Sequence, residues 1–522
     1  MSPILSTLLA IACDSEALLS EALSIQRKVH GEDSPAPLYT LRSLALLYQA
    51  ENKWSEAETV FRQALVAWRK RAGNDDPQTL YALRNLGESL EGQGKWADAE
   101  TVHREALALW RQLRGDEDPQ TLYTMHKLGV GLEAAGKLPE AGAVFRELLA
   151  AWRKRAGNEY PETLYAMRNL ARTLEAQGKR SEAINLHREA LASWRKARGN
   201  EDPQTLYTLG ILAATLEADG KLSEAEAARS EALAFRRKGG ENQTAQALEE
   251  LKGLVRVLNM QKKFGEAERI LNDTLTSTFI QQPSSVEILD LRLALLARQE
   301  RWKEAVVDAT LALKLQPTDH VRYHSLAPLL VVTGDEPAYK QLCQEMLRRF
   351  GSITNNYIAD RVAKSCLLSP HSDVDLLLVD KLANTALAGA EGDICMPLFQ
   401  MCKGLSMFRL GNFEKAIEWT EKSLNNTSFV HAKAQGYAIL AMAHWHLGHK
   451  DEARSMLAKG NTLTPRLISD DPAARSGEKW VQFHETAYHA RLLARIQLDE
   501  ASALIASGPP PGNNPAKASK EN

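Results

Sequence analysis

A chain of 522 residues with 64 basic and 66 acidic side chains, net charge −2, is too long for one ordinary core. It also lacks the global field that holds a protein on nucleic acid or an anionic membrane. No apolar run reaches membrane-spanning length, and five scattered cysteines (Cys13, Cys343, Cys366, Cys395, Cys402) without CxxC spacing argue against a disulfide framework or zinc site and for a reducing, cytoplasmic setting.

The opening MSPILSTLLAIAC lacks a positively charged start, and its apolar core is short for a processed signal. DSEALLSEALSIQRKVHGED, Asp14 to Asp33, reads as the second helix of a repeat. Residues 1–13 are then what remains of its first helix, and 1–33 form a partial repeat. On this reading the chain starts mid-repeat, as a piece of a longer polypeptide or a shortened gene model would.

From there one unit is written again and again. Ala57, Ala99, Ala141, Ala183, Ala225 and Ala267 stand 42 residues apart, and Pro35, Pro77, Pro119, Pro161 and Pro203 keep the same interval. Within one unit Leu80, Leu83, Leu86 and Leu90 recur at helical spacing and make one apolar face. Asp76-Pro77 suits a helix start, Gly94 a break, and WADAETVHREALALWRQLRG a second helix that stops at Gly115. Two antiparallel helices per unit, each with an uncovered apolar side, bury it only against the next unit. The expected fold is all-α, a right-handed α-solenoid of antiparallel helix pairs.

The pattern LxNLGxxLExQGKWxxAExxxxxAL resembles a tetratricopeptide repeat (TPR), whose usual length is about 34 residues. The 42-residue form with its G-x-x-x-P-x-T-L connector resembles the repeats of kinesin light chains and their bacterial relatives, over roughly residues 15–275. The heptad coiled coil that joins a kinesin light chain to its motor is not visible in the sequence, so motor association is not implied. The main array is expected over 34–273. After Leu271 the register fails, and NDTLTSTFIQQPSSVEI reads as a linker, 274–286. RWKEAVVDATLALKLQP, LAPLLVVTGDEPAYKQLCQEML, CKGLSMFRLGNFEKAIEWTEKSL and YAILAMAHWHLGHKDEARSML then mark a second array over 287–505, with Tyr339, Ala416 and Ala453 at equivalent positions. From Arg301 this region resembles the repeat-rich C-terminal part of some bacterial Ser/Thr protein kinases. SGPPPGNNPAKASKEN gives a tail, 506–522, disordered on composition.

By resemblance, the first helix of each unit lines a concave surface. Tyr81, Arg84, Asn85, Glu88 and Glu91 share one face opposite the leucines, and repetition turns each into a row. Tyrosines run Tyr39, Tyr81, Tyr123, Tyr165, Tyr207. Basic groups run Arg42, Arg84, His126, Arg168, beside Asn85, Lys127 and Asn169. Acids run Glu91, Glu133, Glu175, Glu217. Asparagine amides can pair with an extended peptide backbone, arginines can clamp carboxylates, and tyrosines offer flat area with a polar tip. These rows either bind a partner segment in the groove or pair across repeats to hold the stack; the two readings are compatible.

A second stripe, WRKR at Trp68–Arg71 and Trp152–Arg155 with WRQ at Trp110 and WRK at Trp194, could suit nucleic acid. Each cluster falls in the last turn of a helix before glycine, where cations favour the helix dipole. No catalytic motif emerges: GVGLEAAG lies inside a repeat helix, HETAYH spaces its histidines five apart, and HWHLGH, His320 and His324 lack the further ligands of a metal site. The expectation is a non-catalytic scaffold without cofactor or metal that binds a partner protein or peptide, with no nucleic acid and no membrane. Two alternatives stand beside it: the regulatory tail of a bacterial signalling kinase, and self-association through the uncapped first repeat, where Leu18, Leu19 and Ile25 would lack cover.

Overall fold

The computed structural model describes residues 3–238, 245–276, 279–468 and 487–507, and side chains for these apart from 3–14, 464–468 and 487–488. The expected tail beyond Ser507, residues 277–278 of the expected linker and His484 of HETAYH lie outside the described residues. Among the described residues the regular elements are 24 α-helices and two short 3-10 turns, with no strand. The chain divides into two compact units, Met1–Gln261 and Lys262–Asn522, so the division falls one helix ahead of the linker placed at 274–286.

The first unit opens with α1, Pro3–His30, followed by the pairs α2/α3 (Pro35–Ala50, Trp54–Ala72), α4/α5 (Pro77–Gly92, Trp96–Arg114), α6/α7 (Pro119–Ala134, Leu138–Ala156), α8/α9 (Pro161–Ala176, Arg180–Arg198) and α10/α11 (Pro203–Ala218, Leu222–Lys238), and by α12 (Ala245–Met260). Residues 3–30 are one continuous helix rather than the remnant of one helix followed by a second. No glycine or proline stands between Ile4 and His30 to break it.

Boundaries in this array have local causes. Proline opens each first helix from α2 to α10, and the Asp76, Asp118 and Asp202 carboxylates accept from the backbone N–H of Gln78, Gln120 and Gln204, so helix-end donors are satisfied. Gly73, Gly115, Gly157 and Gly199 end the second helices at φ between +80° and +89°, a region that suits glycine. The connector threonine completes the corner: the Thr79, Thr121, Thr163 and Thr205 hydroxyls each donate to the carbonyl of that glycine at 2.8 Å. Leu80, Leu83, Leu86 and Leu90 are buried, as are the small residues Ala57, Ala99, Ala141, Ala183 and Ala225 where two helices meet.

The second unit continues the pairing with less regularity. It holds α13 (Phe264–Thr274), α14/α15 (Val286–Arg298, Trp302–Leu315), α16/α17 (His320–Thr333, Glu336–Phe350), α18/α19 (Asn356–Leu367, Leu376–Leu387), α20/α21 (Met396–Arg409, Phe413–Asn426), α22/α23 (Val430–His446, Lys450–Ile468) and a last helix, α24 (Ala487–Ala506). Tyr339 takes the buried small-residue position of α17, and its hydroxyl donates to the Ser365 carbonyl at 2.8 Å; Ala416 and Ala453 are fully buried.

Candidate partner-binding face

The tyrosine row is built on the tryptophan stripe. Tyr39 stands edge-on to Trp68 at 5.4 Å, Tyr81 to Trp110 at 5.7 Å and Tyr165 to Trp194 at 6.1 Å, while the indoles themselves are buried. Edge-to-face packing on a buried ring fixes the phenol's orientation. The outer side stays open: Tyr39, Tyr123, Tyr165 and Tyr207 are 38–51% exposed.

The arginines lie over these rings. Arg42 is 5.7 Å from the Tyr39 centroid and Arg168 is 5.0 Å from that of Tyr165. Arg84 sits between two repeats, 5.1 Å from Tyr81 and 5.2 Å from Tyr123. Arg42 and Arg84 also donate to the side-chain oxygens of Gln78 and Gln120 in the next repeat, at 2.9 and 3.3 Å. Stacking holds each guanidinium in place, helped by a neutral amide for Arg42 and Arg84, and none of these contacts neutralises it. Among the described residues Arg42, Arg84 and Arg168 form no ion pair. A shallow cavity beside Arg168 is lined by Tyr165, Trp194, Gln204, Tyr207 and Ile211.

The acidic row behaves differently. Glu91 Oε1 is 3.1 Å from Nε2 of His103, and Glu175 Oε1 is 2.9 Å from Nε2 of His187; both imidazoles are buried on the second helix of the same repeat. Glu175 also accepts from the Thr215 hydroxyl of the following repeat at 2.6 Å. Burial pushes the Glu175 carboxyl up, and the hydrogen bonds from His187 and Thr215 outweigh it and hold it below its ordinary range. Glu133 and Glu217 reach forward instead. Glu133 pairs with Arg172 and accepts from Thr173 at 2.5 Å, and Glu217 pairs with Arg256, 2.8 Å for one contact.

The choice between these arrangements follows the second helix, which carries Phe61, His103, Phe145, His187 and Arg229 at one register position. Where the residue is histidine, the glutamate folds back to it; where it is not, the glutamate crosses to the next repeat. The alternation was readable in the sequence, as was the glutamine of DPQTL that holds the arginines, and neither was among the expected site residues.

The remaining positions are partly turned inward. Asn85 and Asn169 are 5% and 6% exposed, and the Asn85 amide donates to the Tyr81 carbonyl of its own helix at 2.8 Å. Lys127 meets Glu88 at 3.2 Å, and the Tyr123 hydroxyl donates to the same carboxylate at 3.0 Å. Burial lowers the pKa of His126, and neighbouring Lys127 adds to the effect. The structure thus groups Tyr39 with Arg42, Arg84 with Tyr81 and Tyr123, and Tyr165 with Arg168, while Glu133, Glu175 and Glu217 bond to the next repeat and Glu91 to His103 of its own.

Cations of the tryptophan stripe are paired across repeats. Arg69, Arg111, Arg153 and Arg195 meet Glu105, Glu147, Glu189 and Glu231 of the next second helix, and Lys70, Lys154 and Lys196 meet Asp33, Glu117 and Glu159 behind them. Charges engaged in such pairs leave little excess field for a phosphate backbone. Among the described residues no group of three or more His, Cys, Asp or Glu could hold a metal ion, and no helix is long and apolar enough to cross a membrane.

The tetratricopeptide repeat model matches residues 14–70, 78–141 and 127–196, and a second tetratricopeptide repeat model matches 434–459. Over these residues the chain carries tetratricopeptide repeats. Its TPR helices are similar in structure to two crystal structures of the nearly identical TPR-like repeats of a kinesin light chain from Podosopora anserina, one of them carrying a single substitution. Both are 25% identical, cover 39% and 40% of this chain and 96% and 98% of theirs, and have TM-scores of 0.36 and 0.37. BtubC (BKLC) from P. vanneervenii is 21% identical over 44% of this chain and 92% of its own, with a TM-score of 0.37. No curated protein matches the chain. The resemblance of the C-terminal region to kinase-associated repeats is not shown by these matches.

Proposed function

We propose that the first unit is a non-catalytic TPR scaffold that binds an extended, acidic segment of a partner protein along the first-helix face of residues 38–235. The observation that carries this reading is the row of Arg42, Arg84 and Arg168, each held against tyrosine and none paired with a carboxylate among the described residues. A guanidinium fixed in advance meets a carboxylate with little ordering entropy left to lose. Arg84 lies 5.1 and 5.2 Å from the rings of successive repeats, which places those rings no more than about 10 Å apart. An extended chain rises about 3.3–3.6 Å per residue, so Tyr81 and Tyr123 lie within reach of positions no more than about three residues apart on a bound strand, and His126 stands between Arg84 and Arg168. The exposed phenols supply apolar contact between the charges, and the ion-paired glutamates keep the repeat spacing.

The test is the pair Arg84→Glu and Arg168→Glu, read on a peptide array built from partners captured out of the native cell. Acidic peptides should be lost from the array while helicity and melting temperature stay close to those of the parent. A simultaneous loss of helicity would assign the row to holding the stack.

A further inference from the structure

In the second unit the inner face is already taken, by a segment of the same chain. Helix α24 packs along α22, touches α23, and also reaches back to α16 and α14, first helices of earlier pairs. Its apolar side, Leu492, Leu493, Ile496 and Leu498, is buried in one cluster with Leu326 of α16 and Ile439 of α22. The His489 ring stands 4.1 Å from that of His324. Toward its other end Glu500 is gripped by both terminal nitrogens of Arg409, one at 2.7 Å, and Arg495 meets Glu300 at 3.0 Å beyond the end of α14. The first helices α14, α16, α20 and α22 thus all meet α24, with α23 beside it.

The group that reads the carboxylate belongs to the wall. Arg409, at the end of α20, donates from Nε to the Leu367 carbonyl at 3.0 Å and from Nη2 to that of Leu368 at 3.4 Å. It also lies 5.4 Å over the Phe408 ring, and its side chain is 6% exposed. These contacts position the fork from the wall side, and such a fork is selective for a carboxylate. The attachment of α24 is long. Residues 469–486 separate it from α23, whereas three residues join α22 to α23. A stretch of that length reaches at most roughly 60 Å.

We propose that the inner face of the second unit is a receptor for an amphipathic helix that carries a carboxylate, with α24 as its resident occupant and a partner helix of the same chemistry as its competitor. The pattern read is a leucine pair followed two turns later by an acidic residue, as Leu492-Leu493 is followed by Glu500. This mode is distinct from the extended-segment binding proposed for the first unit, and its loss leaves that reading untouched.

The experiment uses the full chain and a fluorescent peptide of sequence AYHARLLARIQLDEASALIAS, residues 487–507. Glu500→Gln loosens the resident helix while leaving the groove intact, and should raise capture of the peptide at least tenfold over the parent. Adding Arg409→Ala should abolish the gain. No improvement in the Glu500→Gln chain, or a gain insensitive to Arg409→Ala, overturns the proposal. Hydrogen exchange on the unmodified protein gives a reading that needs no variant: α24 amides should exchange ahead of those of α16 and α22, and exchange in step with them overturns it. A dimer of the Glu500→Gln chain that excess peptide fails to dissociate would assign the groove to a second copy instead, and also overturns it.

Discussion

Replacing Glu175 by alanine separates the two rows of the first unit. The carboxylate serves two donors, His187 Nε2 at 2.9 Å and the Thr215 hydroxyl at 2.6 Å. The imidazole is 2% exposed, so after truncation its nitrogen has no water to turn to. An orphaned buried polar group costs about 1–3 kcal/mol. Thr215 is better placed, because its hydroxyl already lies 2.9 Å from the Ile211 carbonyl; losing the charge-assisted bond there costs roughly 1 kcal/mol. The sum is about 2–4 kcal/mol, and a unit of this size loses roughly 2–4 °C in melting temperature per kcal/mol. Differential scanning calorimetry should therefore show the first unit's transition falling by several degrees, with acidic-peptide affinity within a few-fold of the parent. Arg168→Ala is the counterpart. It gives up one stacking contact worth about 0.5–1 kcal/mol, yet removes a charged donor worth about 1.5–3 kcal/mol to a ligand, roughly a tenfold to hundredfold loss of affinity. If Glu175→Ala abolishes peptide binding at unchanged melting temperature, the division of labour between the rows is refuted.

Three further perturbations probe the packing. Gly129→Ala would set a methyl 2.6 Å from the Phe145 ring; overpacking of this kind costs about 1–3 kcal/mol, measurable as a lower urea midpoint. Glu250→Ala strands Arg229, its partner at 2.6 Å in a pair whose side chains are 8% and 9% exposed, and breaking such a pair costs about 3–5 kcal/mol, which urea titration of the same transition reads directly. Burial pushes the Glu58 carboxyl up, but hydrogen bonds from Lys95, Gln93 and Arg62 outweigh it and hold it at about 2 against an ordinary 4.5. A depressed folded-state value favours the folded state above pH 4.5 and withdraws that support as pH falls toward 2. The stability gap between the parent and Glu58→Gln should close over that window.

Repetition made the first unit legible. When proline, leucine and glycine return at one interval, a single local argument about caps and apolar faces holds for every copy, and the helix boundaries fall where Pro77, Gly94 and Gly115 place them. What repetition hides is which neighbour a polar side chain chooses. Glu133 and Glu175 occupy the same register position, yet one crosses to Arg172 and the other folds back to His187. Their partners lie on other helices, His187 on the second helix of the same repeat and Arg172 on the first helix of the next. The continuous α1 and the inward return of α24 were hidden for a related reason. An amphipathic pattern says that one face must be buried but not which surface buries it.

The two kinds of charge on the first-helix face are treated unequally, and this connects packing to binding. Each glutamate of the acidic row finds a histidine or an arginine, whereas Arg42 and Arg84 find tyrosines and amides and Arg168 a tyrosine. A chain that is close to neutral overall thereby keeps a locally positive row. Spacing decides how that row acts. At physiological salt the Debye length is about 8 Å, and between Arg84 and Arg168 the row is interrupted by His126, whose pKa burial lowers, so the arginines add little to one another at long range. Selectivity must then come from contact, from a carboxylate reaching a guanidinium already stacked on its ring. Moderate salt should therefore weaken binding only gradually, whereas moving an acidic residue of the ligand by one position along the strand should weaken it sharply.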